Sequence, residues 1–351
     1  MALSRLYLDH AATTPLFPEA RAAVAAALGR WANPSSPHAE GRAARAELEE
    51  ARARIGAALG FSGTIIFTSG ASEAIEIALR RAKAGPRLIS AIEHDAVRRA
   101  ARHADLLAVD RDGIVDLEVL GDKPLVAVQT VNNETGLVQP FERVAAVVRE
   151  AGGLWLADCA QSAGKLPLPD ADFLAISAHK LGGPPGVGAL LVRDLAMLDA
   201  TGGQEQGYRG GTENLPAILG FAAALEASRD WLHSTAALRT RLDALIAEAG
   251  GEPVGAAERR IATIASYRMP GVAATTQLIR FDMAGIAVSA GSACSSGSLR
   301  PSHVLTSMGW SADAAREVVR VSFGPATSEE DIDRFADAWR GIAKPVRAGA
   351  A

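Results

Sequence analysis

Cysteine is scarce in this chain: Cys159 and Cys294 are the only two among 351 residues. Two thiols so far apart make neither a disulfide framework nor a metal knuckle, and they fit a reducing compartment. Long apolar runs are missing too, since no stretch approaches the roughly 20 residues needed to cross a bilayer. The N-terminus MALSRLYLDHAATT meets Asp9 before any long apolar region, so it does not read as a secretory signal. A soluble, cytoplasmic protein is expected. Neither sign of charge is in excess, with 36 basic against 40 acidic residues and a formal net charge of −4. That balance argues against nucleic acid or an anionic membrane as the main partner. Internal repeats and low-complexity linkers are absent. What the chain has is apolar material, 48% hydrophobic against 22% charged, enough for a substantial interior in a chain too long for one small core.

From about residue 60, short β-rich runs alternate with helical stretches. TIIFT (64–68) leads into ASEAIEIALRRAK, and RLISA (87–91) into DAVRRAARHA; PLVAVQT (124–130) precedes FERVAAVVREAG. LWLAD (154–158), DFLAISA (172–178) and GVGALLV (186–192) add three more buried strands. Continuous apolar strands separated by helices predict an α/β fold, a mostly parallel sheet covered on both faces. Residues 38–59 read as one long helix stopped by Gly60. From about 235 the texture changes to that of a smaller α+β unit, closed by an amphipathic helix with Ser328 as N-cap.

Active sites in such sheets lie outside the carboxyl ends of the strands, and there the polar oddities of this sequence fall. TSGASEAIEIAL (68–79) turns from strand to helix through Thr68, Ser69 and Ser72, a start whose free N–H groups suit a phosphate. It is neither a P-loop nor a dinucleotide fingerprint. LWLADCAQSAGK sets Asp158 at a strand mouth with Gln161 after it, where a carboxylate can hold a cofactor's pyridinium nitrogen. SAHKLGGPPGVG (177–188) puts Ser177, His179 and Lys180 after the next strand; a lysine among glycines, partly desolvated, suits Schiff-base chemistry. His94 follows RLISA, Asn133 and Glu134 lie in VNNETG, and Arg320 sits on the apolar run VVRVSFG, where it needs an anionic partner. Each has an ordinary structural explanation alone, as a helix cap, a turn residue or a surface lysine. Together they specify pyridoxal phosphate acting on an amino acid.

Six segments carry a resemblance in order: TSGASEA, EHDAV, VNNETG, SAHKLGGPPGVG, RGGTEN and SAGSACSS. With YLDHAATTPL, NPSSPHAEGR and VRVSFGPATSEEDID around them, nearly the whole chain resembles the cysteine desulfurases of the class V aminotransferase family, NifS/IscS-like, in the group with a longer cysteine loop. The resemblance implies a type I pyridoxal-phosphate-dependent transferase fold, with a large mixed-sheet α/β domain over 16–232 and a smaller α+β domain from 1–15 and 233–351. It implies pyridoxal 5′-phosphate as cofactor, held covalently by Lys180, with Asp158 on the pyridine nitrogen, Gln161 on the ring hydroxyl and His94 stacked and shuttling protons. Ala71, Ser72, Ser177 and His179 match phosphate-binding positions. Thr212 matches a threonine that reaches the neighbouring subunit's phosphate, hence a homodimer. Asn133 and Arg320 match substrate-carboxylate positions. Cys294 matches the nucleophile that takes sulfur from L-cysteine as a persulfide while L-alanine leaves, for a sulfur-acceptor protein serving iron–sulfur cluster or thiolation pathways.

The sequence also departs from the family pattern. RGGT replaces RSGT, and QEQG replaces QERG, with Gln206 where an arginine is usual. Cys159 stands beside Asp158 where alanine is usual and reads as a small buried hydrophobe. The chain stops soon after its last helix, which leaves a scaffold protein's docking in doubt. Alternatives are a selenocysteine lyase, another class V enzyme, or a non-catalytic dimeric scaffold. Transamination needs no thiol, and a scaffold would not need Lys180 and Asp158.

Overall fold

The computed structural model describes residues 5–291 and 301–348. The chain opens with β1 (Leu6–Tyr7), α1 (Pro18–Leu28) and α2 (Ala39–Leu59). Alternating units follow: β2 (Thr64–Thr68), α3 (Ala71–Arg81), β3 (Arg87–Ser90), α4 (Asp95–Ala100), β4 (Asp105–Leu107), β5 (Leu125–Ala127), α5 (Phe141–Glu150), β6 (Leu154–Asp158), β7 (Phe173–Ser177) and β8 (Gly188–Val192). After α6 (Leu215–Glu226) and α7 (Trp231–Glu248) come β9 (Glu252–Pro253), β10 (Ile264–Arg268), α8 (Ala274–Met283) and β11 (Ile286–Ala287). Two short helices, α9 (His303–Ser307) and α10 (Ala312–Ala315), precede β12 (Val318–Ser322) and α11 (Glu329–Ala348).

Seven strands form one sheet in the order β2-β8-β7-β6-β5-β3-β4. All run the same way except β8, which is antiparallel to both neighbours. Alternate residues of each strand feed two cores. Val126, Trp155, Ala157, Leu174 and Ile176 pack with α2, α5 and α6 residues on one face, while Leu125, Leu156, Phe173, Ala175 and Leu190 pack with α3 on the other. A separate core joins the chain's two ends: Leu6 and Leu8 pack with Leu238, Tyr267, Phe281, Phe335 and Trp339 around the sheet β12-β10-β9.

Punctuation residues act as local chemistry dictates. Gly60 ends α2 at φ 64°, a left-handed cap that an L side chain resists. Ser328 and Asp331 exchange bonds at the start of α11, Ser328 N donating to Asp331 Oδ2 at 3.0 Å and Asp331 N to Ser328 Oγ at 3.3 Å. Two elements are shorter than their sequence pattern predicts. The run 124–130 keeps only Leu125–Ala127 as strand, because the N–H of Gln129 goes to the Glu93 carboxylate at 2.8 Å instead of to β3. The helix expected over 95–104 stops at Ala100, where Ala101 leaves helical geometry before the chain enters β4.

Candidate active site

Six co-directional strands deliver their carboxyl ends to one edge of the sheet, and the segments after β2, β3, β5, β6 and β7 meet there around a cavity of about 630 Å³. Ser69, Gly70, Ala71 and Ser72 line it from the β2–α3 turn. His94 enters after β3, Gln129 and Asn133 after β5, Asp158 and Gln161 after β6, and Ser177, His179 and Lys180 after β7. Arg320 comes from β12 and completes the wall with Ser289 and Gly291. Of the twelve residues given a role by the resemblance, ten therefore line one cavity. Thr212 does not: it is exposed in the single chain and outside that lining. Cys294 lies outside the described residues.

The N-terminus of α3 leaves backbone donors open toward the cavity. Its first N–H groups have no side-chain cap, and the preceding Gly70 sits at φ 155°, a conformation that favours glycine. A Cβ on Gly70 would point into the space faced by Ser177 Oγ, 4.0 Å away. Thr68 and Ser177 flank Gly188 in register, so both hydroxyl residues reach the same end of the sheet.

Asp158 ends β6, and its Oδ1 accepts the N–H of Ala160 at 2.9 Å, which fixes the carboxylate at the strand mouth. Gln161 donates Nε2 to the carbonyl of Ala11 at 2.9 Å, and its buried Oε1 has no partner among the described residues. His94 caps α4, with Nδ1 accepting the N–H of Ala96 at 3.1 Å. Burial above all lowers its pKa, against the pull of Asp158, so the ring is neutral near pH 7 and carries its proton on Nε2. Burial, then Lys180, lowers His179 in the same way.

The N-terminal segment straps these parts together. Thr14 N donates to His179 O at 2.8 Å and its hydroxyl to Lys180 O at 3.1 Å. Asp9 accepts from Arg320 Nη2 at 2.7 Å, while Arg320 Nη1 donates to Asn133 O at 2.9 Å. The guanidinium is thus held in place and almost buried, with a buried Nε that has no partner among the described residues.

These groups fit pyridoxal phosphate: a capless helix start for the phosphate, a carboxylate for the ring nitrogen, an orphaned amide oxygen beside it, and a lysine on the turn after β7. Several contributors were not foreseen from sequence. Glu73 lines the cavity and takes the Ser69 N–H. Glu134, already singled out in VNNETG, also lines it, accepts the hydroxyl of Ser302, and has its pKa raised by burial. His303 lines the cavity with Nε2 donating to Glu93 O at 3.0 Å. Lys165 has its pKa pushed down to about 7, by burial first and then by Lys180 and Arg229. No periodicity marks such residues; their environments arise only when distant segments meet.

A family model described as aminotransferase class-V matches residues 6–335. The chain belongs to that family, whose members are pyridoxal phosphate enzymes, and it has the type I pyridoxal-phosphate transferase fold. A protein named cysteine desulfurase IscS 1, from Archaeoglobus fulgidus, is 34% identical over 97% of this chain and 97% of its own length. The X-ray structure of a NifS-like protein from Rickettsia africae matches with a TM-score of 0.88 at 29% identity, over 97% of this chain and 99% of that one. A structure titled SspA in complex with cysteine matches at TM-score 0.78 and 30% identity, covering 92% of this chain and 100% of that one.

Proposed function

We propose that this protein is a pyridoxal-phosphate-dependent cysteine desulfurase, converting L-cysteine to L-alanine and keeping the sulfur as a persulfide on Cys294. The observation that carries the reading is the single cavity in which Asp158, Gln161, His94, Lys180 and Arg320 converge beside a capless helix start. When bound, the cofactor supplies the electron sink that lets Cα of the amino acid lose a proton. The chain's own residues position and neutralise charge. Ala71, Ser72, Ser177 and His179 are assigned to the phosphate, Asp158 to the ring nitrogen, Gln161 to the ring hydroxyl and Lys180 to covalent attachment. Asn133 and Arg320 are assigned to the substrate carboxylate, which a fixed guanidinium orients well. His94, neutral with its proton on Nε2, is assigned to stacking and proton transfer.

The bookkeeping of the sulfur step closes without an external oxidant. L-Cysteine and the Cys294 thiol give L-alanine and the Cys294 persulfide; an S–S bond forms as the Cβ–S bond breaks. An acceptor thiol then takes the terminal sulfur, or a thiol reductant releases it as sulfide. The acceptor is assigned to iron–sulfur cluster assembly or thiolation, and the compartment to the cytoplasm. A homodimer is proposed because Thr212, which matches a threonine reaching the neighbouring subunit's phosphate, is exposed and outside the lining of its own cavity. The division into 16–232 and 1–15 plus 233–351 is supported by the separate core around Leu6, Leu8 and Trp339.

The test is incubation with L-cysteine and a reductant, following sulfide and alanine together. Equal yields of both are expected, with sulfide abolished in Cys294→Ser while cofactor binding and fold persist. Undiminished sulfide from that variant would overturn the role of Cys294, and a colourless protein that binds no pyridoxal phosphate would overturn the whole reading.

A further inference from the structure

The segment between β8 and α6 is tied to α2, β2 and the β2–α3 turn through two carboxylates. Glu205 is buried and accepts from Arg52 Nη1 at 2.7 Å, from Nη2 at 3.0 Å and from Phe67 N at 2.7 Å. Glu205 and its neighbour Gln206 hold left-handed φ values of 49° and 58°, uncommon for residues with side chains. The second tie reaches the cavity. Arg209 donates Nε to Glu73 Oε1 at 3.0 Å, and Glu73 Oε2 accepts the N–H of Ser69.

Glu73 is out of place by charge. It lies in the first turn of α3 and lines the same cavity as Ala71 and Ser72, where the proposed function puts a phosphate. Burial pushes its pKa up, but the Ser69 N–H and Arg209 outweigh this and hold the acid below the usual range. An ionised carboxylate there repels a phosphate unless a cation cancels it. Arg209 is the only Arg or Lys between 201 and 214, and its Nη1 also donates to Gly211 O at 3.2 Å.

We propose that Glu73 is a positioning residue that fixes the Ser69–Ser72 cradle through the Ser69 N–H, and that Arg209 is the counter-ion that keeps this carboxylate from repelling the cofactor phosphate. The inference rests on the cofactor assignment above. It differs from a purely structural ion pair in the pattern of variants it predicts. Arg209→Gln strands a negative charge beside the phosphate and weakens cofactor binding. Glu73→Gln keeps an acceptor for Ser69 N–H and leaves a positive charge, so binding is unchanged or tighter. The double variant is neutral again and returns to the wild-type value.

The experiment measures the dissociation constant for pyridoxal phosphate, by its absorbance, for the full-length protein and the three variants at low and high salt. Arg209→Gln is expected to raise the constant roughly threefold to fivefold at low salt, since the pair is partly exposed. That deficit shrinks at about 0.5 M salt as the repulsion is screened. The inference is overturned if Arg209→Gln binds as the wild type does, if the double variant binds more weakly than Arg209→Gln, or if the deficit is indifferent to salt. Wild-type protein that binds no pyridoxal phosphate overturns the cofactor assignment itself, a distinct outcome.

Discussion

Replacing Gly188 by alanine tests whether the cradle is built by close backbone approach. Gly188 opens β8 and pairs with Thr68 on one side and Ser177 on the other. A Cβ there would stand 2.3 Å from the carbonyl oxygen of Ile176, 2.7 Å from Gly70 Cα and 2.9 Å from the Gly70 carbonyl carbon. Real Cβ atoms essentially never approach within 3.0 Å, and all three neighbours are backbone, so no side-chain rotation relieves the clash. Over-packing of this kind costs about 1–3 kcal/mol, offset in part by about 0.4–1 kcal/mol from a less flexible unfolded chain. The net loss is therefore about 1–2 kcal/mol, a fall in Tm of a few degrees. Function suffers more, because the displaced segment is the Ser69–Gly70 turn, and misplacement of about 1 Å costs on the order of 100-fold in well-oriented sites. At least a tenfold weaker binding of pyridoxal phosphate is expected by absorbance titration. Gly341→Ala in α11, where a Cβ meets nothing within 4 Å, is the control: helix propensity favours alanine by about 1 kcal/mol, with cofactor binding untouched. A Gly188→Ala protein that melts and binds like wild type would refute the close-approach argument.

Acid stability depends on His10, whose pKa is pushed down to about 4 by burial and then by Lys165. The unfolded chain protonates first, near 6.5, so stability is present above that pH and is lost as pH falls from about 6.5 to 4. The loss is roughly 2–3 kcal/mol, and urea unfolding at pH 7, 6 and 5 should show it, with a flatter profile in His10→Asn; equal slopes in the two proteins would count against the assignment. Thiol labelling separates the two cysteines. Burial pushes the Cys159 thiol up to about 12, so iodoacetamide at pH 8 should modify Cys294 alone and leave Cys294→Ser unlabelled in intact-mass measurements. A label on Cys159 in the folded protein would contradict its burial.

Much of this architecture was legible because apolar runs of five or so residues, bounded by glycines and polar clusters and alternating with helical stretches, fit buried strands of one sheet. Asp158, His94 and Lys180 were visible as anomalies for that reason. The reversed direction of β8 was not legible, since LWLAD and GALLV read alike in either orientation. It takes the ladder itself to show that the start of β8, not its end, reaches the cavity. Arg209 and Glu73 also escaped notice, because 136 residues separate them and each alone reads as a solvated charge. Lys165 likewise looks like a surface lysine until Lys180 and Arg229 are brought beside it.

The charge inventory of the cavity explains why such distant partners matter. Five acids line it, Asp9, Glu73, Asp95, Glu134 and Asp158, against two basic side chains besides histidine, Lys180 and Arg320. The lowered pKa values of His94 and His179 remove two further sources of positive charge. Such a cavity would repel the phosphate and the carboxylate assigned to it if every acid stood free. Instead Asp9 is bound to Arg320, Glu73 to Arg209, and Glu134 to the hydroxyl of Ser302. Glu134, raised by burial, holds less charge than an exposed acid would. Asp158 has its Oδ1 on a backbone N–H and suits a cationic ring nitrogen. Anion binding at this site therefore depends in part on cations from other segments, Arg320 on Asp9 and Arg209 on Glu73, and each is a position where the loss of one charge is felt in the cavity.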